Sequence, residues 1–229
     1  MFMDTIRGLE KVFRKDIIPP KIVLVVGPPG SLKSSFVYTL LTRYCANSNE
    51  FGLYATLEET TDSHLKNMES LGIEPNLNLQ ISDFTDFRDL DDEGGVDYLK
   101  FTEKMITYFK QTRGDSFTVF GLDSIGALYS LMPDLEDMRR QMYHFFKTLR
   151  NYNLISFLIM ESSKGNNGFM IGNEGFLCDG IINLGLGRRQ GRLIRYIQVE
   201  KMRAVEHSME MHAVELGAGG LTILGPMFE

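Results

Sequence analysis

The stretch Lys21-Ile-Val-Leu-Val-Val-Gly-Pro-Pro-Gly-Ser-Leu-Lys-Ser-Ser35 decides the fold. Its opening residues form an apolar, β-branched run with no polar interruption, the signature of a strand buried on both faces. A glycine-proline turn follows, and after it Phe36, Leu40 and Tyr44 recur at four-residue spacing, which predicts a helix with one buried stripe. Strand, glycine loop and helix in this order are the first half of a βαβ unit.

The rest of the chain extends the alternation. The run Phe51 to Leu57 predicts a second strand ending in Glu58-Glu59, and Thr60-Thr61 offers an N-cap for a helix carrying Leu65, Met68 and Leu71 and closed by Gly72. Leu77 to Ile81 reads as a short strand, and Phe101, Met105 and Phe109 mark a helix that Gly114 ends. Phe117 to Asp123 and Leu154 to Met160 read as buried strands, separated by a helix striped with Leu135, Met138, Met142, Phe145 and Leu149. Residues 161–180, rich in glycine and polar side chains, predict a mobile loop. Three short β-like runs, 180–186, 193–200 and 211–216, then lead to a fourth at 221–224. Helices between strands imply a mostly parallel sheet covered on both faces, and the closing strands with short links imply an antiparallel extension. No linker or internal repeat divides the chain, so residues 1–229 are expected to form a single α/β domain.

Gly27-x-x-x-x-Leu32-Lys33-Ser34 matches the phosphate-loop pattern G-x-x-x-x-G-K-[ST] except at Leu32. In such a loop, Gly27, Pro28, Pro29, Gly30, Ser31, Leu32, Lys33, Ser34 and Ser35 wrap a triphosphate with backbone N–H groups. The helix N-terminus adds a favourable dipole, Lys33 supplies a cation, and Ser34 can ligate Mg²⁺. A glycine in place of Leu32 would tolerate positive φ and close phosphate approach. Leucine there requires an L-allowed backbone with its side chain turned away. Asp123 closes a buried strand, where a carboxylate can hold Mg²⁺ directly or through water. Glu58 and Glu59 close another, where a carboxylate can orient and deprotonate an attacking water, with Glu58 the preferred base. Loop, metal acid and base acid together are the parts needed to hydrolyse the phosphoanhydride of ATP.

Composition bounds these readings. The 229 residues carry 24 Lys+Arg against 30 Asp+Glu, a net charge of −6, which argues against a dedicated nucleic-acid binder. No apolar run reaches the length of a membrane span, and the first residues resemble neither a signal nor a transit peptide, so a cytoplasmic protein is expected. Cys45 and Cys178 lie far apart without metal-ligand spacing, which excludes a disulfide framework or zinc site. The charge is uneven: Asp83 to Asp97 holds seven acids and one base, and Arg188 to Arg203 holds six bases and one acid. His64, His144 and His212 read as structural or surface residues.

In its order of motifs the chain resembles the RecA-type ATPases, and more narrowly the single-domain archaeal relatives of the circadian-clock ATPase KaiC. The resemblance rests on Gly8-Leu9-Glu10, the phosphate loop, Thr56 to Thr60, Leu122-Asp123-Ser124, Cys178 to Asn183, and Val199-Glu-Lys-Met-Arg203 followed by His207-Ser208. It implies a RecA-like fold and an ATP and Mg²⁺ site shared between subunits of a homohexameric ring. Lys201 and Arg203 would reach a neighbour's triphosphate, and His207 joins them through its spacing. Two residues apart on a strand, Lys201 and Arg203 should project from one face. Where clock proteins carry a phosphorylated Ser-Thr pair this sequence has Gly175-Phe176, so autophosphorylation is not expected.

The functional expectation is a slow, Mg²⁺-dependent, ring-forming ATPase of regulatory type with further protein partners. One alternative is an ATP-reading module without useful hydrolysis, like the archaellum-associated relatives. Another is a RecA/RadA-like recombinase. For the last, residues 161–180 supply only Lys164, Phe169 and Phe176 as a base and stacking residues, a poor groove for single-stranded DNA.

Overall fold

The structure is a computed structural model that describes residues 1–84, 97–130, 135–162, 164–165, 168–169, 174–189, 191–217 and 219–227. The side chains of residues 130, 135–138, 164–165, 168–169 and 174 are not part of that description. In chain order the elements are β1 (Lys21–Gly27), α1 (Lys33–Ser48), β2 (Phe51–Thr56), α2 (Thr61–Ser70), β3 (Leu79–Asp83), α3 (Tyr98–Arg113), β4 (Phe117–Asp123), α4 (Ile125–Ser130), α5 (Leu135–Asn151), β5 (Ile155–Glu161), β6 (Lys164–Gly165), β7 (Gly168–Phe169), α6 (Glu174–Leu177), β8 (Gly180–Arg189), β9 (Arg192–Met202), β10 (His212–Gly217) and β11 (Gly220–Pro226).

Nine strands form one sheet in the order β11-β10-β9-β8-β1-β5-β4-β2-β3. The pairs from β8 through β1 to β3 are parallel and those from β8 to β11 antiparallel, the mostly parallel sheet with a C-terminal extension read from the sequence. Side chains of β1 alternate between two cores. Val23 and Val25 pack with Phe36, Val37 and Leu41 of α1, while Ile22, Leu24 and Val26 pack with Met142, Phe145 and Leu149 of α5. This double burial is why the run carries no polar residue.

Local signals end the helices as their chemistry requires. The Thr60 hydroxyl accepts the Ser63 N–H at 3.3 Å to start α2, and Gly72 after it takes φ 72°. Asp97 caps α3 by accepting the Lys100 N–H at 2.9 Å, and Gly114 closes that helix at φ 57°. Of the acidic run 83–97, residues 85–96 lie outside the described residues. Asp83 accepts both the N–H and the hydroxyl of Thr61, so the acids at the two ends of the run serve local structure. Leu135 and Met138 fall where side chains are not described.

Two expectations change, and one segment left unassigned by the sequence gains a place. In 161–180 the described residues are not simply loop: β6 and β7 pair antiparallel and α6 precedes Asp179. The third strand begins at Leu79 instead of Leu77, whose side chain is fully exposed. The first twenty residues, which show no periodicity, belong to the core: Phe2, Ile6, Leu9, Val12 and Phe13 are buried on the α1 side of the sheet.

That segment is fixed to the far strand of the sheet. Arg7 bridges Thr222, and the Ile223 N–H donates to the Arg7 carbonyl at 2.8 Å. Gly8 adopts φ 88°, and a Cβ on it would lie 1.9 Å from the Ile223 carbonyl oxygen, so only glycine fits. Gly8→Ala is expected to lower stability by about 1–3 kcal/mol, read as a shift in the denaturant midpoint. An unchanged midpoint would show that β11 yields freely.

Candidate active site

The phosphate loop leaves the C-terminal end of β1, between the ends of β5 and β8. Open parallel sheets place their ligand sites at such strand ends. Gly27 passes beneath β8: a Cβ there would lie 2.1 Å from the Leu184 carbonyl oxygen and 2.7 Å from Ser31 Oγ. Gly30 turns the loop at φ 78°, and the Ser31 N–H closes it onto the Pro28 carbonyl at 3.3 Å. Helix α1 begins at Lys33 with no side-chain cap and no acid in its first turn, which leaves its first N–H groups available to an anion.

Leu32 corrects the expectation for its backbone. It sits at φ 72°, ψ 29°, in the left-handed region that glycine favours, a placement that costs a leucine about 1–2 kcal/mol. Its half-buried side chain packs against the core on the α1 side, a contact that offsets the cost and that glycine would lack. The loop thus keeps the geometry of the glycine pattern with a different residue.

A cavity of about 300 Å³ opens over the loop, bordered by Lys33, Ser34, Glu58, Asp123, Ser124 and Glu161 among others. Lys33 is buried, and its Nζ donates to the Pro28 carbonyl at 3.1 Å. Burial pushes the ammonium below its usual 10.5, against the opposing pull of Glu161, Asp123 and Glu58. Asp123, 7% exposed, accepts the Tyr54 hydroxyl at 2.8 Å and shares the cavity border with Ser34. Burial still raises its pKa above the ordinary carboxylate value. The turn after β4 is capped by Ser124, whose Oγ accepts the Ala127 N–H at 3.1 Å, so Asp123 remains directed at the cavity side. The Asp123-Ser124 peptide is cis.

The two adjacent glutamates part company. Glu58 stays at the cavity, where its Oε1 accepts the Ser124 hydroxyl at 2.7 Å. Glu59 turns onto α2: it meets His64 Nδ1 at 2.9 Å, the Asn67 amide at 2.9 Å and the Ser63 hydroxyl at 3.2 Å. His64 is fully buried between the rings of Tyr38 and Tyr54, in the structural role read for it.

Two residues that sequence reading did not single out also belong here. Glu161 ends β5 directly opposite Gly27 and borders the cavity. Arg195 on β9 donates its Nε to the Gly30 carbonyl at 3.1 Å, tying the basic hairpin to the loop of its own chain. The only sequence signals were the position of Glu161 at the end of a buried strand and the charge of the Arg188 to Arg203 stretch.

Lys201, Arg203 and His207 do not enter this cavity. Lys201 Nζ donates to the carbonyls of Gly175 and Cys178, both at 2.8 Å. Arg203 lies one residue past the end of β9, yet converges with Lys201 on the same segment through the Phe176 carbonyl at 3.2 Å and Asp179 at 3.5 Å. Met202 between them points into the core. His207 bridges Phe13 and holds the Val205 carbonyl with its Nδ1.

Comparison with known proteins places this geometry. The family model described as "ATPase: KaiC" matches residues 3–227. The chain belongs to the KaiC-like ATPase family. Among its relatives, UPF0273 protein MK0039 of Methanopyrus kandleri is 27% identical, over 95% of this chain and 89% of its own. UPF0273 protein MJ1359 of Methanocaldococcus jannaschii is 25% identical over 95% and 93%, and a UPF0273 protein of Thermotoga maritima is 27% identical over the same shares. The crystal structure of KaiC-like protein PH0186 from Pyrococcus horikoshii superposes with a TM-score of 0.80 at 21% identity, covering 96% of each chain, a likeness of fold.

The split between the glutamates is testable without any activity. Glu59→Ala should cost about 1.5–3 kcal/mol, because a carboxylate with three side-chain partners is removed from the base of α2. Glu58→Gln should leave the melting temperature unchanged. Equal melting temperatures for the two variants would refute the assignment.

Proposed function

We propose that the protein is a slow, Mg²⁺-dependent ATPase that works as a ring, with each ATP held by one subunit's phosphate loop and completed by the neighbour's Lys201 and Arg203. The observation that carries the proposal is the convergence of Lys33, Ser34, Asp123 and Glu58 on one cavity at the N-terminus of α1.

The residues divide the chemistry between them. The loop N–H groups and Lys33 hold the triphosphate and offset its charge. Glu58, held at one oxygen by Ser124, has its other oxygen available to orient a water and take its proton. Three carboxylates (Glu58, Asp123 and Glu161) border the cavity against the single ammonium of Lys33, so a triphosphate enters this site with a compensating cation. The Ser34 hydroxyl and Asp123 carboxylate, both bordering the cavity, suit Mg²⁺, which keeps most of its waters and takes few protein oxygens. When bound, Mg²⁺ would draw charge from the phosphate oxygens.

The shared site has its own geometric support. Gly180 pairs with Val23 and with Met202, so Lys201 and Arg203 flank the start of β1 while the phosphate loop leaves its end. From Ile22 to Gly27 a strand covers about 16 Å, too far for either side chain to serve its own loop. A cationic end and a phosphate-binding end at opposite poles of one sheet are the complementary surfaces of a head-to-tail assembly, which closes into a ring when the rotation permits. A hexamer is the size the family resemblance favours. Among the described residues no helix is long and apolar enough to cross a membrane.

Mixing two inactive proteins tests the whole reading. Glu58→Gln should bind ATP without turnover, and Arg203→Ala should assemble but hydrolyse at least 10³-fold more slowly. In a random 1:1 mixture about one interface in four combines an intact Glu58 with an intact Arg203. Steady-state phosphate release should therefore return in the mixture. A mixture as inactive as its components would overturn the shared site, and a wild type that releases no phosphate would leave only an ATP-reading module, the role that Leu32 in the loop would suit.

Lys33 adds a pH dependence. Burial lowers its pKa in the free protein, and a bound triphosphate raises it again, so binding takes up a proton between those two values. ATP affinity should fall as pH rises through that window. Calorimetry in alkaline buffers of different ionisation enthalpy should record the uptake, and a Lys33→Met variant should not.

A further inference from the structure

We propose that Asp179 is a positioning residue for catalysis in the neighbouring subunit: it fixes the direction in which Arg203 leaves its own chain. The inference rests on the shared-site reading above and adds a residue to it.

Asp179 is anchored more firmly than an ordinary loop carboxylate. Its backbone N–H donates to the Ile22 carbonyl at 2.8 Å, and its Oδ2 accepts the Ile22 N–H at 3.0 Å, a two-way clasp on the start of β1. The same Oδ2 meets the Arg150 guanidinium of α5 at 3.2 Å, and Arg150 also donates to the Leu177 carbonyl. Two elements, β1 and α5, thus immobilise one oxygen of a carboxylate whose side chain is 15% exposed. The other oxygen, Oδ1, faces Arg203 Nη1 at 3.5 Å, and the Asp179 carbonyl accepts the Arg203 N–H at 2.8 Å.

Arg203 itself is 54% exposed. Its guanidinium therefore has one edge on a rigid carboxylate and on the Phe176 carbonyl, while the rest remains in solvent. That is the arrangement of a pre-aimed cation. A long, flexible side chain loses less rotamer freedom when it meets a phosphate if it is already held near the required direction. The ion pair is too long and too exposed to serve stability well, since half-exposed pairs contribute little. Lys201 is directed in parallel by the two carbonyls of the same segment.

Asp179→Asn isolates this effect. The amide oxygen can still accept from Ile22 and Arg150, which turns the amide nitrogen, a donor, toward the guanidinium. In the assembled protein kcat should fall about 10- to 100-fold, the cost of a misplaced catalytic group. KM for ATP and the melting temperature should stay at wild-type values. Added to Arg203→Ala, the same substitution should cause no further loss, because it acts only through that side chain. An additive loss, or turnover that rises because Arg203 has been released from a restraint, would overturn the proposal. If Arg203→Ala itself left ring turnover intact, the shared site would fail instead, so the two failures are separable. A measurement on the wild type requires no variant to fold: ¹⁵N relaxation of the Arg203 Nε–H in the nucleotide-free protein should report a restricted guanidinium. Motion as free as that of exposed Arg189 would count equally against the proposal.

Discussion

The organisation of the molecule depends on the enclosure of β1. It is hydrogen-bonded to β5 along one edge and β8 along the other, and apolar side chains cover both faces. A strand so enclosed cannot shift register without moving every side chain to the opposite core. Both of its ends are consequently fixed in space. The phosphate loop leaves one end, and Asp179 clasps the other. The cavity and the cationic segment are therefore two ends of one rigid element.

The electrostatics of the cavity follow from the same burial. Lys33 and Asp123 both sit where water is scarce, and each is pushed toward its neutral form: the lysine pKa falls and the aspartate pKa rises. The hydrogen bond from Tyr54 recovers part of that cost for Asp123. A site in this condition has more to gain from a multiply charged ligand with its counter-cation than a solvated one would, because new charge partners act at low dielectric.

How much of this was legible in the sequence depends on the range over which each feature is specified. The strand, loop and helix from Lys21 to Ser35 could be read because burial on two faces and a four-residue stripe are local patterns, and so could the Thr60 cap and the Gly72 stop. The antiparallel ending followed from short links alone. Glu58 and Glu59 could not be separated with the same certainty, because what separates them is His64, Ser63 and Asn67 drawing Glu59 onto α2. Arg195 was visible only as charge: its contact with Gly30 depends on the register of β9 against β8, which includes a bulge. Leu32 resisted for another reason. A propensity argument counts the left-handed backbone against leucine, whereas the fold sets that cost against a side chain packed in the core. The buried N-terminal segment shows no period because its residues make short turns, not a regular helix or strand.

That N-terminal segment also matters for how the sheet ends. Strand β11 has β10 on one side only, and an uncovered outer edge would present free N–H and C=O groups to any other strand. Arg7 and Gly8 lie against that edge at Thr222 and Ile223. Where Arg7 occupies it, this border offers fewer free backbone groups to a strand from another molecule. The turn around Gly8 is in this sense a partial edge cap as well as a part of the core.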